Sequence, residues 1–357
     1  MPNLRFTEKP LSEWMQKGGD YSDVVISSRV RIARNLVHQP FPIIASTEQA
    51  QQVRERLTAA LQDEGVQAQG PFEPLVLDEL DDVDKEVLME KHLISPNLIN
   101  DSRAGAVLLA ENESVSIMIN EEDHLRIQCL YPGFQLEEAW QRATAIDDAF
   151  ERVVDYAFDD RRGYLTSCPT NLGTGLRASV MLHLPALAIM NQIGRILSAV
   201  SQVGLAVRGL YGEGSEALGN IFQISNQITL GLSEQEIIDN LRSVVMQIIE
   251  YEQHARSRLL DESRLRITDR IMRSYGILSY ATMMDAKEAF QRISDVRLGV
   301  DLGLIDRASA GQMNELLIMT QPGFLQKTFG VKMGSGERDK YRAQMIRDTL
   351  SDVHVAD

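Results

Sequence analysis

The chain has 357 residues, of which 44% are hydrophobic and 24% charged, with a formal net charge of −15 at pH 7. These proportions are typical of a globular protein with a sizeable core, and the acidic balance disfavours non-specific binding to nucleic acid or anionic membranes. Its two cysteines, Cys129 and Cys168, make no disulfide framework. We find no signal segment and no apolar run of membrane-spanning length, so we expect a cytoplasmic protein.

An apolar, β-branched run at 24–35 predicts the first strand. Within it, Arg29 and Arg31 are two residues apart and therefore share one face of the strand. Two like charges side by side repel unless an anion lies between them. The pair fits either an anion site or a solvated edge strand whose charges block aggregation.

Several further elements are predicted before residue 120. Residues 47–64 have apolar positions at helical spacing, with Thr47 as the N-cap. The stretch 75–95 is acidic and then apolar and carries His92, a lone histidine of the kind that is usually structural. Two strands, at 107–109 and 115–119, are joined by a turn at 111–113.

The segment 120–129 combines a polar cluster with a strand pattern, because apolar and polar residues alternate from 124 to 129. If this strand begins early enough, Glu122 shares a face with Arg126. Such a pair is either a cross-strand salt bridge or part of a site. The density of polar residues at 121–124 favours a site.

The most distinctive segment is the loop at 167–178, which contains a cysteine, a proline, two glycines and an arginine. Gly173 and Gly175 permit backbone conformations that other residues resist, and Pro169 holds Cys168 extended. The loop ends in the fixed charge of Arg177. Cys168 is therefore either a thiolate, since cationic neighbours lower a thiol's pKa, or an ordinary buried cysteine.

The rest of the chain is mostly helical by pattern. Helices are predicted at 135–158 and 182–203, followed at 207–225 by a strand, a glycine-rich loop and a strand. The loop carries Glu213 and either closes over a substrate or is a solvated hairpin loop. A capping box at Ser233 opens a helix to about residue 260, and shorter helices are predicted at 283–296, 309–318 and 339–350. We predict two domains, 1–260 and a helical 261–357.

Four blocks in this order resemble the catalytic domain of the phosphagen (guanidino) kinases, the family of creatine kinase and arginine kinase. The blocks are Ser27-Ser28-Arg29-Val30-Arg31, Asn120-Glu121-Glu122-Asp123-His124-Leu125-Arg126, Cys168-Pro169-Thr170-Asn171-Leu172-Gly173-Thr174 with Arg177-Ala178-Ser179, and Arg208-Gly209 with Glu213. The resemblance implies an α+β fold of antiparallel strands flanked by helices, ATP and Mg²⁺ as cofactors, and phosphoryl transfer to a guanidinium nitrogen.

The resemblance also implies roles for individual residues. Glu122 and Glu213 would hold the acceptor guanidinium, with Cys168 against it. The arginines of the ATP site would clamp the nucleotide phosphates, His92 would lie near the adenine, and no side chain is assigned to a metal. The implied ATP-binding residues are Ser27, Ser28, Arg29, Val30, Arg31, His92, Arg126, Arg177, Ala178, Ser179, Val180, Met181, Arg208, Gly209, Leu210, Tyr211 and Gly212.

Two features indicate which branch of this family the chain resembles. In phosphagen kinases that act on free guanidino metabolites, a helical domain precedes the Ser-Ser-Arg block, whereas here the block begins at residue 27 and a helical region follows the catalytic part. That arrangement is similar to the bacterial protein-arginine kinases (McsB type), which phosphorylate arginine side chains in proteins. Their RDxxRA element binds phosphoarginine, and Arg338-Asp339-Lys340-Tyr341-Arg342-Ala343 resembles it, the alternative being an ordinary charged helix start.

The resemblance implies protein substrates with exposed arginines and a homodimer. It also implies a zinc-binding activator (McsA type), a heat-shock repressor (CtsR type) and a Clp ATPase (ClpC type) that accepts the marked proteins. Two other functions stay open: a kinase for a free small guanidine such as arginine, and an inactive adaptor. The five arginines, two glutamates and cysteine are all present, which argues against an inactive site.

Overall fold

A central antiparallel sheet organises the fold. The computed structural model describes residues 5–16, 18–100, 102–209 and 218–351. In chain order, the strands are β1 (Val25–Arg34), β2 (Phe72–Val76), β3 (Ala106–Ala110), β4 (Val115–Ile119), β5 (Leu125–Pro132), β6 (Phe158–Asp159), β7 (Gly163–Tyr164), β8 (Leu176–His183), β9 (Leu205–Arg208) and β10 (Ile221–Asn226). Eight of them form one sheet in the order β2-β3-β4-β5-β1-β8-β10-β9, and β6 pairs with β7.

Helices flank this sheet and make up the C-terminal part. They are α1 (Arg5–Glu8), α2 (Thr47–Ala59), α3 (Glu64–Gln67), α4 (Asp82–Glu90), α5 (Pro96–Asn100), α6 (Leu136–Glu151), α7 (Pro185–Ile189), α8 (Ile193–Gln202), α9 (Glu234–Tyr280), α10 (Ala286–Asp301), α11 (Ala310–Met319), α12 (Pro322–Phe329) and α13 (Ser335–Ser351). The predicted α+β class is thereby confirmed. Within the described segments, no helix has the length and apolar character needed to cross a bilayer.

The two faces of the sheet differ in chemistry because alternate residues of a strand point in opposite directions. On β1, Val30 and Ile32 are fully buried in the main hydrophobic core together with Ile146 of α6 and Ile249 of α9. The opposite face of β1 carries charged residues instead. One face is therefore built for packing and the other is available for a site.

The strand directions gather four loops at one end of the sheet. β1 runs antiparallel to β5 and β8, with Arg34 opposite Leu125 and Ile32 opposite Leu176, and β10 runs antiparallel to β8. The C-terminal ends of β1 and β10 therefore lie beside the N-terminal ends of β5 and β8. We call this region, formed by residues 35–46, 120–124, 165–175 and 227–233, the loop end.

The predicted helix at 182–203 is wrong. β8 continues to His183, and two short helices, α7 and α8, follow it. They are separated by Asn191, whose φ of 56° no α-helix accommodates. The apolar pattern alone does not distinguish the two, because a fully buried strand and a buried helix share the same composition.

Other predicted elements are found with shifted ends. The strands at 24–35, 107–109 and 115–119 are confirmed as β1, β3 and β4, whereas the helix predicted at 135–158 ends at Glu151. The N-cap of α2 is Ser46 rather than Thr47, since the Ser46 side chain accepts from Gln49 N. The capping box at Ser233 is confirmed, and the C-terminal helices appear as α10, α11 and α13.

The C-terminal helices are attached directly to the sheet region. Helix α9 runs through the predicted boundary at 260 and changes direction at Ser263, with φ −144° and ψ 26°. Glu90, the last residue of α4, accepts hydrogen bonds from Gly323 N at 2.7 Å and Phe324 N at 2.9 Å in α12. Lys327 of α12 is 2.6 Å from Asp84 of α4. The division into 1–260 and 261–357 stays a prediction.

Candidate active site

Five arginines lie on the polar face of the sheet. Arg31 on β1 is directly opposite Arg177 on β8, so these two side chains share a face. Arg29, two residues before Arg31, points the same way, as do Arg126 on β5 and Arg208 on β9, which the pairing registers place on the same face. Four different strands thus bring cations to one surface.

These arginines line two adjoining clefts that share Arg31 and Arg208. The first has a volume of about 100 Å³, and its lining includes Arg29, His92, Gln128 and Gln223. The second has a volume of about 430 Å³, and its lining includes Arg126, Arg177, Glu122, Cys168 and Glu121. The structure therefore brings seven of the eight predicted central side chains together. The eighth, Glu213, lies outside the described residues, as do Leu210, Tyr211 and Gly212, while Gly209 directly follows the strand that carries Arg208.

The arginine cluster is electrostatically strained. Burial lowers the pKa of Arg29 to about 10, helped by the positive charges of Arg177, Arg126 and Arg208. Burial, followed by repulsion from Arg29, also lowers the pKa of Arg31 well below its usual value. The Arg31 Nε is buried and has no hydrogen-bond partner among the described residues. A bound anion would supply that partner and relieve the repulsion.

His92 follows the C-terminus of α4 in a left-handed conformation with φ 58°. Its ring lies edge-on to Trp14, with centroids 5.6 Å apart, and its carbonyl accepts a hydrogen bond from Gln128 Nε2 at 2.8 Å. Burial, with Arg29 and Arg31 nearby, lowers the pKa of His92 to about 3. The ring is therefore neutral at pH 7, which suits contact with an uncharged aromatic base.

The predicted ATP-binding residues include two continuous runs, 27–31 on β1 and 177–181 on β8. Only alternate residues of each run face the clefts. Ser27, Ser179 and Met181 line a small cavity together with Trp14 and His92. The side chains of Ser28, Val30, Ala178 and Val180 are turned to the other face, where the last three are fully buried in the core. Ser28 Oγ donates a hydrogen bond to Gly133 O at 2.9 Å. Side-chain contact between these four residues and a ligand in the clefts is thus ruled out by the strand alternation.

Glu122 lies in the turn before β5 and not on the strand, since β5 begins only at Leu125. It nevertheless contacts Arg126, with 2.9 Å between Oε2 and Nη2. Burial raises the pKa of Glu122, and the charge of Arg126 offsets part of that rise. A carboxylate with raised proton affinity at the wall of a cationic cleft can accept a proton there.

Two acids next to Glu122, Glu121 and Asp123, have structural contacts that the sequence pattern does not predict. Glu121 lies 2.7 Å from Arg126 Nη1, and its other oxygen accepts from Ser95 Oγ at 2.6 Å. Asp123 accepts from Ser167 N at 2.7 Å, so it ties the turn that carries Glu122 to the loop that carries Cys168. The many polar residues at 120–124 indicate a functional segment. The structure is needed to show that Glu122 faces the cleft, whereas Glu121 and Asp123 bind to residues in its walls.

Cys168 is half-buried and its Sγ lies 3.0 Å from Thr170 Oγ1. The loop comes close to β1 through Gly175, whose φ is 67° and whose missing Cβ would lie 2.6 Å from Ala33 O. Cys129 differs from Cys168, because it is fully buried and its burial raises the pKa of the thiol to about 12. Cys168 is thus the cysteine that is accessible from the second cleft.

The RDxxRA segment lies at the start of α13, on the C-terminal part. Arg342 is buried, and it donates to Thr320 O and Met284 O and pairs with Asp339 at 2.6 Å. Ala343 is also buried, whereas Arg338 and Asp339 are half-buried, Tyr341 stacks near Phe329 and Lys340 is exposed. Only the first residues of the segment, 338–340, are therefore available to a ligand. The second arginine, Arg342, stabilises the fold.

Comparison with known proteins identifies the family of the chain. Residues 37–255 match the family model of the ATP:guanido phosphotransferase C-terminal catalytic domain, and residues 264–357 match the protein-arginine kinase McsB C-terminal domain. In Brevibacillus brevis, a protein-arginine kinase is 57% identical over 98% of both chains. In Halalkalibacterium halodurans, another is 57% identical over 97% of both.

Among solved structures, the duplicated taurocyamine kinase from Schistosoma mansoni with bound transition-state-analogue components has a similar fold. The TM-score is 0.60 at 25% identity, and the match covers 71% of this chain and 36% of that one. The two family models match residues 37–255 and 264–357, and the two relatives are matched over nearly their whole length. The chain therefore belongs to the protein-arginine kinases of the ATP:guanido phosphotransferase family.

Proposed function

We propose that this protein transfers the γ-phosphate of ATP to arginine side chains of proteins. The observation that carries the proposal is the convergence of five arginines, Glu122 and Cys168 on two clefts that share Arg31 and Arg208. The first cleft, next to His92 and Trp14, would take the nucleotide base and its phosphates. The second would take the acceptor guanidinium between Glu122 and Cys168.

The arginines would do most of the work of catalysis. Phosphoryl transfer needs positioning and charge stabilisation more than covalent help, and arginine forks match phosphate oxygens in two-point contacts. One well-placed arginine is worth about 10³–10⁵ in rate in related chemistry. The repulsion among the clustered arginines, which lowers the pKa of both Arg29 and Arg31, would be relieved by the polyphosphate. An acidic protein can thus still bind an anion locally.

The acceptor is the harder part of the reaction. A guanidinium has a pKa of about 12.5–13.8, so making it neutral at pH 7 costs roughly 7–9 kcal/mol. In the proposed step, the terminal nitrogen forms a bond to the γ-phosphorus while the bond from phosphorus to the ADP oxygen breaks, and the nitrogen's proton passes to Glu122. The raised pKa of Glu122 favours that transfer. Glu213 would be the second carboxylate.

Mg²⁺ belongs to this proposal as a companion of the nucleotide. Within residues 5–16, 18–100, 102–209 and 218–351, no three His, Cys, Asp or Glu side chains are grouped as metal ligands. Mg²⁺ commonly keeps several waters and binds substrate phosphates with one or two carboxylates. The described residues therefore fit an ion held mainly by ATP, which would neutralise phosphate charge, and they offer no protein cage.

Further roles come from the family alone. We propose that Arg338 and Asp339 contribute to a phosphoarginine site and that the protein acts as a homodimer in the cytoplasm. We also propose a zinc-binding activator (McsA type), a heat-shock repressor (CtsR type) and a Clp ATPase (ClpC type) as partners, with marked proteins passing to proteolysis. The C-terminal match to the McsB model supports these assignments.

The proposed function is tested by incubating the protein with ATP and Mg²⁺ and either a denatured protein or free arginine. Mass spectrometry under neutral or basic handling should find phosphorylated arginines in the denatured protein, because N–P bonds are acid-labile. Cys168→Ser and Glu122→Gln should lose most of that signal while their thermal unfolding stays close to wild type. Phosphorylation of free arginine alone would contradict the proposal.

A further inference from the structure

Exposed apolar side chains are concentrated at the loop end of the sheet. Six of the fifteen exposed large hydrophobic residues in the described part of the chain belong to loops there or to the adjoining β6–β7 hairpin. They are Ile43, Ile44, Phe158, Ile228, Leu230 and Leu232. We call these six residues the apolar rim. Clustered exposed apolar groups mark interaction sites more often than scattered ones do.

The part of the rim at 228–232 is attached to the loop that carries Cys168. Thr229 is buried, and its hydroxyl lies 3.0 Å from Thr170 O and 2.6 Å from Leu172 O. On either side of it, Ile228 is 57% exposed and Leu230 is 49% exposed. The backbone of Leu230 also touches Gly173, where an added Cβ would lie 2.9 Å from Leu230 Cα. These side chains are thus held beside the proposed acceptor cleft.

The other members of the rim border the same end from different loops. Ile43 and Ile44 follow Pro40, whose carbonyl lies 2.9 Å from Nε2 of His124, two residues after Glu122. Phe158 lies on the β6–β7 hairpin, and Tyr164 of that hairpin donates its N–H to Gly173 O at 2.8 Å. Each apolar group is therefore fixed to a loop that also carries or supports a site residue.

We propose that the apolar rim, and Ile228 and Leu230 above all, binds the polypeptide on either side of the acceptor arginine, so that arginines with apolar neighbours are preferred substrates. This inference rests on the proposed function, because it requires the guanidinium in the second cleft to belong to a polypeptide. The occupant is an extended segment of the substrate protein, and its apolar flanks are what the rim recognises.

The dimensions and chemistry of the site support this occupant. Consecutive residues of an extended chain are about 3.3 Å apart, so the neighbours of an arginine inserted beside Cys168 must pass over the loops that form the loop end. Charge would contribute little, since Glu121 and Asp123 are buried and hydrogen-bonded within the walls and Glu122 is paired with Arg126. Burial of apolar surface would hold them.

The test uses two peptides that each contain one arginine, flanked by leucines in one and by serines in the other. With wild-type protein, ATP and Mg²⁺, we expect kcat/KM to be roughly tenfold higher for the leucine peptide, in line with discrimination by apolar pockets. In the double variant Ile228→Ser/Leu230→Ser, we expect that ratio to fall towards one. Leu265→Ser serves as the matched control, because Leu265 on α9 is 84% exposed and lies away from the loop end, and it should keep the wild-type ratio.

Three results would overturn the inference. A wild-type ratio near one would show that flanking residues are not read, and an unchanged ratio in the double variant would place the recognition elsewhere. An equal loss of rate for both peptides would show that Ile228 and Leu230 support the fold of the cleft and not the substrate. If no peptide or denatured protein is phosphorylated at all, the proposed function itself fails, and that outcome is distinct from these three.

Discussion

Glu121 Oε2 lies 2.7 Å from Nη1 of Arg126, and Glu122 contacts Nη2 of the same guanidinium at 2.9 Å. The two adjacent acids share one partner but differ in surroundings. The side chain of Glu121 is fully buried and bonded to Ser95, whereas a third of the Glu122 side chain is exposed to the cleft. Glu121 therefore fixes the arginine, and Glu122 is the acid that a substrate can reach.

This difference predicts opposite consequences for two isosteric substitutions. Glu122→Gln should lower kcat by about 10²–10⁴, the usual contribution of a general base, with thermal unfolding close to wild type. Glu121→Gln should raise KM for ATP and reduce the free energy of unfolding by about 1–3 kcal/mol, because a buried hydrogen-bonded charge is lost beside Arg126. Steady-state kinetics with thermal denaturation would separate them, and identical behaviour of the two variants would contradict the assignment.

Arg31→Met should stabilise the ligand-free protein while abolishing its function. The depressed pKa of Arg31 means that the folded state disfavours its charge, so removing that charge should add about 0.5–2 kcal/mol to the free energy of unfolding, as other relieved functional sites do. Turnover should fall by at least about 10³. Thermal denaturation with and without ATP is the measurement.

The control for this experiment is Arg258→Met, because Arg258 is an exposed arginine paired with Glu262 on α9. It should leave both stability and ATP response near wild type. Destabilisation of the ligand-free protein by Arg31→Met would show that the cluster repulsion is already balanced without an anion.

Glu90 should make stability depend on pH. Burial raises its pKa to about 8, with Glu86 adding to the rise, while the Gly323 and Phe324 N–H groups and Arg342 oppose it. Its folded pKa exceeds its unfolded value, so its stabilising contribution is fully present below about 4.5 and is lost as pH rises towards 8. The wild type should therefore lose stability relative to Glu90→Gln between pH 5 and 9, by on the order of a few kcal/mol of unfolding free energy.

Chemical denaturation at several pH values measures that difference, with the exposed Glu262→Gln as control. If the wild type instead gains stability over Glu90→Gln as pH rises, the carboxylate is ionised and the N-terminus of α12 holds it as an anion. In either case the contact joins the C-terminal helices to α4, two residues from His92.

Substitutions within the RDxxRA segment should divide into two groups. Arg338→Ala should weaken phosphoarginine binding and leave unfolding nearly unchanged, because Arg338 is only half-buried. Arg342→Ala should reduce the free energy of unfolding by about 3–5 kcal/mol, since it leaves Asp339 and two backbone carbonyls without their partner. Calorimetric titration with phosphoarginine and thermal unfolding distinguish them. Loss of binding only in Arg342→Ala would assign the ligand contact to the buried arginine.

The pattern of strand alternation made part of the site predictable. The two-residue spacing of Arg29 and Arg31 places both on one face, and the structure has them there beside Arg177. The same rule shows that not every residue of the predicted ATP-binding runs can contact a ligand through its side chain. The side chains of Val30 and Ala178 point to the opposite face and are buried in the core. A motif match can identify a strand of the site, but the alternation of side chains along that strand determines which residues face the site.

Other features depend on tertiary packing and were not predictable from local pattern. The run at 182–203 is mostly apolar. The pairing of Leu182 and His183 with β10 shows that its first part is a strand. Helix α9 passes residue 260 because residues such as Ile267 and Ile271 are buried against the C-terminal helices. Glu90 had no local signature at all, because its partners are more than 230 positions away.

The contact between Trp14 and His92 gives the protein a built-in optical probe. The chain has two tryptophans, and the indole of Trp14 is packed edge-on to the ring of His92, which lines the first cleft. The other, Trp140, is bonded through Nε1 to Glu234 at 2.8 Å on the far side of the sheet. Emission from Trp14 should therefore report cleft occupancy without any label, and a Trp140→Phe background would isolate that signal for titrations with nucleotide.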